Sequence, residues 1–349
     1  NYPTHMPKTA VTFKPKQVTK KILSPLRDRA FDVVVSRFGL GNESDRKTLE
    51  AIGEIYGITR ERVRQIENAA LLAVRKSDAY KSEQASFDEL HTIIRELGGI
   101  VSEEELLKTL AKDEATQNHI HFYLVLGDAF TKHKEDEHFS SRWSVDDDVT
   151  KTVHTSLKSL YENLTDDEIV PESELISRFL GHLKDLSDEY KNDEIAKRYL
   201  SLSKKVSRNP LGEWGKADSS GVKTRGIKDY AFLMMRKHGS PMHFREVAKA
   251  ICDTFGKKTH IATCHNELIK DGRFVLVGRG IYALSEWGYK SGVVRDVIKD
   301  ILKANGPLTK EDVVEKVLKE RYLKKNTILV NLQNAKYFKK QKDGKYVAV

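Results

Sequence analysis

The stretch that most constrains this chain is Thr48-Leu-Glu-Ala-Ile-Gly-Glu-Ile-Tyr-Gly-Ile-Thr-Arg-Glu-Arg-Val-Arg-Gln-Ile-Glu67. Leu49, Ile52 and Ile55 recur at three-residue spacing and predict one apolar face of a short helix. Gly57 stands where the chain must turn sharply, at a position that favours positive φ. Thr59 reads as an N-cap, with Arg62 in the slot where a capping box has Glu or Gln. After it Val63, Ile66, Ala70 and Val74 follow at helical spacing and point inward. Arg60, Glu61, Arg64 and Gln65 are left facing outward at the start of a second helix. Two short helices joined by a tight turn form a helix-turn-helix, and these side chains suit a reader of the DNA major groove.

Arg can bond guanine O6 and N7 with two hydrogen bonds, Gln does the same for adenine N6 and N7, and Glu accepts from cytosine N4. A solvated, charged helix face is the plain alternative. Further motifs bear on the choice. Arg37-Phe-Gly-Leu40, Thr48-Leu-Glu-Ala-Ile-Gly53 and Gly57-Ile-Thr-Arg-Glu-Arg-Val-Arg-Gln-Ile-Glu67 resemble region 4 of the housekeeping sigma factors of bacterial RNA polymerase, over about Leu23 to Lys76. The resemblance implies that the segment reads a −35 promoter element in double-stranded DNA and docks on the polymerase flap. It also implies that Thr59, Arg60, Glu61, Arg64 and Gln65 meet bases or backbone. Ala69 stands where that family usually has Lys, so a DNA contact is lost there and the preferred sequence shifts.

A chain of 349 residues is expected to hold several domains. Its net charge of +9 is unevenly divided: +6 over residues 1–80, −11 over 81–220 and +14 over 221–349. The basic ends attract phosphate, whereas the acidic middle is repelled by it, so the chain does not lie along DNA for its whole length. No apolar run approaches the roughly 18 residues of a membrane span. Two cysteines, Cys252 and Cys264, are too few for a disulfide framework and fit a reducing compartment, so a cytoplasmic, nucleoid-associated protein is expected.

Residues 1–20 contain Pro3, Pro7 and Pro15 among lysines and read as a flexible basic arm, or plain disorder. Leu23 to Phe38 reads as the helix leading into the motif, over residues 21–80. Past a polar connector near Ser77–Ser86 a pattern recurs. Ile100-Val-Ser-Glu-Glu-Glu-Leu-Leu107, Ile169-Val-Pro-Glu-Ser-Glu-Leu-Ile176, Pro241-Met-His-Phe-Arg-Glu-Val-Ala248 and Pro307-Leu-Thr-Lys-Glu-Asp-Val-Val314 each open a second helix, at spacings of 69, 72 and 66 residues. Repeats this long are whole small domains. Each closes on a hairpin, the last with an Asp343-Gly344 turn. Three helices and a two-stranded wing make a winged helix. The expected fold is therefore mainly α: a helix-turn-helix domain, then tandem winged helices at 84–148, 149–221, 225–290 and 291–349, the first two acidic.

Gly239-Ser-Pro-Met-His-Phe-Arg-Glu-Val247, Asp271-Gly-Arg-Phe274 and Gly280-Ile-Tyr-Ala-Leu284 resemble the HARE-type helix-turn-helix, found in the polymerase delta subunit. That resemblance implies nucleic-acid or polymerase binding. Lys258, His260 and Arg279 in this unit, and Lys325 and Lys340 in the last, are candidate DNA contacts. Lys and Arg there hold phosphate, while nearby Asn331, Gln333 and Asn334 could read bases. A basic surface kept for solubility is the alternative. The acidic pair more readily meets a basic protein surface.

Cys252, His260, Cys264 and His265 lack the close Cys pairs of zinc sites; Cys252 reads as core and Cys264 as a helix residue. Asp146-Asp-Asp148 and Asp166-Asp-Glu168 lack EF-hand spacing. No phosphate cradle, nucleophile elbow or paired catalytic constellation appears. The expectation is a non-enzyme without cofactor, metal or small-molecule substrate, bound to promoter DNA and RNA polymerase core. No aromatic-rich helix resembles sigma region 2, so the chain is expected not to melt promoters alone: it is an accessory initiation factor or the C-terminal part of something longer. Its rival from another class is a delta-like, polymerase-associated protein that binds mainly protein; a repressor independent of polymerase is a third.

Overall fold

A computed structural model describes residues 10–42, 44–289, 293–321 and 323–349. Seventeen α-helices dominate the described residues, with small antiparallel sheets between them. The chain divides into two compact units, 1–166 with 170–207, and 167–169 with 208–349.

In the first unit α1 (Pro15–Ile22), α2 (Asp28–Phe38), α3 (Leu49–Tyr56) and α4 (Arg60–Lys76) precede α5 (Asp78–Ser82) and α6 (Gln84–Glu96). Then come β1 (Ile100–Ser102), α7 (Glu103–Leu110), α8 (Glu114–Leu126), β2 (Thr131–His133) and β3 (Arg142–Ser144), which form a winged helix. Its sheet runs β1-β3-β2, with Val101 opposite Trp143 and Lys132 opposite Trp143. Helices α9 (Asp147–Asn163), α10 (Glu172–His182) and α11 (Asp193–Leu202) follow.

Three sequence expectations change here. The basic arm over 1–20 ends in a helix from Pro15, because proline at a first helical position is pre-set in φ and gives up an N–H that has no partner there. Val18, Thr19 and Ile22 of α1 are buried; residues 1–9 lie outside the described residues. The helix expected from Leu23 breaks around Pro25 and restarts at Asp28, and the polar connector near 77–86 is helical.

The larger finding is α8. Asn118 through Leu124 and Leu126 are all buried, so this helix has no solvent face over its second half. A helix covered on all sides must be enclosed, and what encloses it is α1, α2 with the loop after it, and the C-terminal end of α4. Phe122 meets Phe38 edge to face at 5.1 Å. The Thr19 hydroxyl shares hydrogen bonds with His119 Nδ1 at 2.8 Å and Tyr123 at 2.7 Å. Asn118 donates to the carbonyls of Gly39 (3.1 Å) and Ser44 (2.6 Å) and accepts from Arg46 (2.6 Å). Gly39, at φ +63°, admits this approach, since a Cβ there would lie 2.5 Å from the Asn118 amide. Arg75 of α4 donates to the Leu126 and Val125 carbonyls. One apolar cluster thus runs from Val18 through Phe38 and Val74 to Trp143.

The third helix of the next domain is also engaged. Tyr199 of α11, fully buried, donates to the Gly98 carbonyl at 2.5 Å. The wing between β2 and β3 is bound as well, with Phe139 bridging Ser203 and Ser140 N donating to Leu202 O. Of the acidic domains' third helices, α8 is spent inside the chain, while α11 packs one side inward and exposes Asp193, Glu194, Lys197 and Ser201.

Inside this unit Arg142 is 4% exposed and donates from Nε to His154 Nε2 at 2.8 Å, while Phe139 stacks flat on the His154 ring. Burial, then the Arg142 charge, hold His154 down at about 4; His133, Lys158 and Asp136 also face it. Burial, then Arg46, hold His121 at about 4, with Glu103, Lys132 and Arg37 facing it. Between pH 4 and the ordinary histidine value of 6.5 the unfolded chain therefore binds more protons than the folded one. Stability of this unit is full above that window and falls as pH drops through it. Urea-dependent hydrogen exchange of α8 and α9 peptides should show the loss, and His154→Gln, which keeps an acceptor but does not titrate, should flatten part of it. An identical pH profile in that variant would exclude His154.

Strand β4 (Val206–Arg208) ends the first unit and its last residue, Arg208, begins the second, where β5 (Trp214–Lys216) leads to α12 (Ile227–His238), β6 (Met242–His243), α13 (Phe244–Phe255), α14 (Ile261–Lys270), β7 (Phe274–Gly278) and β8 (Ile281–Leu284). Its sheet runs β6-β8-β7 over a core of Ala231, Met235, Val247, Ile251, Leu268 and Leu284. Buried Asp229 accepts from the amides of Arg225 and Gly226 and from Arg273 at 2.9 Å, which ties the wing to α12. Cys252, expected in the core, is exposed near the end of α13, whereas Cys264 is a helix residue as expected and lies buried on the inward face of α14. The last domain has α15 (Val294–Asn305), α16 (Lys310–Glu320), α17 (Lys325–Leu332), β9 (Phe338–Lys340) and β10 (Tyr346–Ala348). Among the described residues no helix is long and apolar enough to cross a membrane.

Candidate nucleic-acid interface

Helix α3 starts on Thr48, whose hydroxyl accepts from Ala51 N at 3.2 Å, and ends on Gly57 at φ +62°. The turn is tight: a Cβ on Gly53 would lie 2.6 Å from the Ile58 carbonyl. Thr59 caps α4, accepting from Arg62 N at 3.2 Å. Val33, Leu49, Ile52 and Val63 close a small core beneath the turn. Ile55 is 58% exposed, not part of that face. Six residues on from Leu49 it has rotated about 120° off Leu49's direction at 3.6 residues per turn.

Arg60, Glu61, Arg64 and Gln65 are exposed together on the first turns of α4. They hold one another. Arg64 donates to both Glu61 oxygens, at 2.9 and 2.7 Å, and Gln65 donates to Glu61 at 3.5 Å. The Arg64 hydrogen bond keeps the Glu61 carboxyl below its ordinary pKa. Arg62 donates to the Gln65 oxygen at 3.2 Å. Arg60 pairs with Glu50 of α3 at 3.0 Å, a partner the sequence pattern did not single out. Such a two-pronged pair presents Arg64 in a defined orientation at the surface. Ala69 is exposed two turns further on.

The other candidates lie in the second unit. Lys258 and His260 precede α14, His260 as its N-cap; Arg279 sits in the turn between β7 and β8. Lys325 opens α17 and Lys340 ends β9. All five are exposed. Here, unlike on α8, the third helices keep exposed faces: Ile261, Thr263, Asn266 and Ile269 on α14, and Lys325, Asn326, Thr327 and Val330 on α17. Among the described residues no group of three or more His, Cys, Asp or Glu is placed to hold a metal ion.

Residues 22–76 match the family described as Sigma-70, region 4, and residues 225–287 match HARE-HTH, the HTH domain shared by ASXL and restriction endonuclease proteins. Over 60 residues the chain is 43% identical to the RNA polymerase sigma factor SigA of Listeria monocytogenes and, equally, of Listeria innocua. That stretch is 17% of this chain and 16% of each relative, so the chain spans about a sixth of their length. Both matched domains are of DNA-binding helix-turn-helix type. The chain thus carries a sigma-70 region 4 domain at residues 22–76 and a HARE-type helix-turn-helix domain at residues 225–287.

Proposed function

We propose that this protein is a sigma-like transcription initiation factor that sets the first turns of α4 in the major groove of a −35-like promoter element. The observation that carries this reading is the exposed edge of Arg60, Glu61, Arg64 and Gln65, the last three bonded to one another and Arg60 to Glu50, on a doubly capped helix-turn-helix. The region 4 match and the name of the SigA relatives support the link to RNA polymerase core. Lys258, His260, Arg279, Lys325 and Lys340 add phosphate contacts or meet polymerase, and the place of work is the nucleoid. Ala69, in place of the lysine of the resembled family, shifts the preferred sequence.

Direct duplex binding through several Lys and Arg should weaken with salt at a log–log slope of about −0.9 per phosphate contacted. Titration of the full chain onto a promoter duplex at rising salt measures it, alongside retention on core polymerase. Affinity that stays weak at low salt, beside tight core binding, would favour the second reading, an accessory protein of the delta kind that binds mainly protein. That alternative is supported by the −11 charge of residues 81–220. Failure to retain core enzyme would leave a repressor.

A further inference from the structure

Two arginines are buried among the described residues, Arg142 at 4% and Arg321 at 3% exposure. Arg142 is fully matched: it donates to His154, to the carbonyls of Lys134 and Ser140, and to the Asp136 carboxylate at 3.1 Å. Arg321 has no carboxylate partner among the described residues. One terminal nitrogen donates to the Leu276 carbonyl, while its Nε finds no partner. Burial alone acts on its pKa, and lowers it. Taking a guanidinium out of water with so little compensation costs several kcal/mol, so the fold on both sides must hold it there.

Those two sides are different domains. Arg321 caps the C-terminal end of α16 in the last winged helix, and Leu276 lies in β7, in the wing of the HARE domain. Leu276 is itself half exposed, so it is the backbone carbonyl and not an apolar contact that receives the arginine. We propose that Arg321 is a pin that fixes the last winged helix to the HARE wing, so that the exposed third helices α14 and α17 meet one DNA duplex as a single body. The DNA part rests on the function proposed above; the pin does not. A fixed pair of weak sites binds a common ligand far more tightly than two independent ones, because the second contact becomes intramolecular.

The test uses the full chain with Cys252→Ser, and spin labels at Thr263→Cys on α14 and Asn326→Cys on α17. Electron–electron distance measurements should give one narrow distribution with Arg321 present and a broad one in Arg321→Met. Leu276→Ala, which keeps the carbonyl, should stay narrow. Affinity for a random-sequence duplex of roughly 30 base pairs should fall about tenfold in Arg321→Met. Should that variant not fold, as judged by hydrogen exchange of α13 and α16 peptides, Arg321→Lys is read by the same criteria, since it loses the planar fork but keeps the charge. An equally narrow distribution without the arginine overturns the pin. A broad distribution with unchanged duplex affinity keeps the pin and removes DNA as the shared ligand.

Discussion

Replacing Phe122 by alanine is expected to loosen the region 4 domain, although Phe122 belongs to the neighbouring winged helix. The side chain is fully buried, and its ring meets Phe38 of α2. Deleting a buried phenylalanine costs about 3–5 kcal/mol, from lost apolar transfer and the cavity left behind. Domains are stable by about 5–15 kcal/mol, so the loss is a large share of the total. Because α8 lies in the same apolar cluster as Val34, Phe38, Ala70, Leu71 and Val74, the cavity is shared between the domains. Hydrogen exchange should therefore report equal losses of protection in α2, α4 and α8 peptides, and promoter affinity should fall with them. Loss confined to α8, with α2 and α4 protected as before, would show that the two domains are only neighbours. With α8 and the β2–β3 wing committed inside the first unit, the first acidic domain has no free third helix to offer a groove, and α11 of the second exposes Asp193, Glu194 and Lys197.

The helix-turn-helix was legible in the sequence because short-range chemistry decides it: Thr48 and Thr59 as caps, Gly57 for positive φ, and Val63, Ala70 and Val74 at helical spacing. The recurring phrases such as Val101-Ser-Glu-Glu-Glu and Leu308-Thr-Lys-Glu-Asp open helices capped by Ser102 and Thr309, again a local signal. What escaped was decided at a distance. Pro15 looks like a mark of disorder until α8 supplies Thr19, Val18 and Ile22 with something to pack on. The run Asn118-His-Ile-His-Phe-Tyr-Leu-Val-Leu126 has almost no polar face, the one local sign that both its sides would be covered. Its three polar members, Asn118, His119 and His121, hid that sign, and Asn118 and His119 find their partners on Gly39, Ser44, Arg46 and Thr19. Arg321 gives no local sign at all, since its acceptor lies 45 residues away in a β-strand.

The largest effect on sequence preference is expected at Gln65 and Arg64, and the two should differ in kind. Gln65 accepts from Arg62 at 3.2 Å and donates weakly to Glu61 at 3.5 Å, two exposed contacts that its amide exchanges for a base edge. Gln65→Ala should relax preference at one base position, by roughly tenfold or more between the best and worst base, with little change in binding to random DNA. Arg64 is held at both nitrogens by Glu61, so removing it also frees a carboxylate that then faces the phosphates. Arg64→Ala should both relax one position and weaken binding overall, and Glu61→Gln should return the overall loss but not the lost preference. Lys340→Ala, in a wing, should weaken binding evenly across sequences and reduce the salt slope by about one phosphate. Selection from a random duplex pool, followed by titration of the winning and scrambled sites at several salt concentrations, separates these outcomes. A selected motif that is the same for the wild-type chain and for both Gln65→Ala and Arg64→Ala would mean that α4 holds DNA without reading it. Base preference would then have to come from another element, and the exposed Asn and Thr residues of α17 would be the next to change.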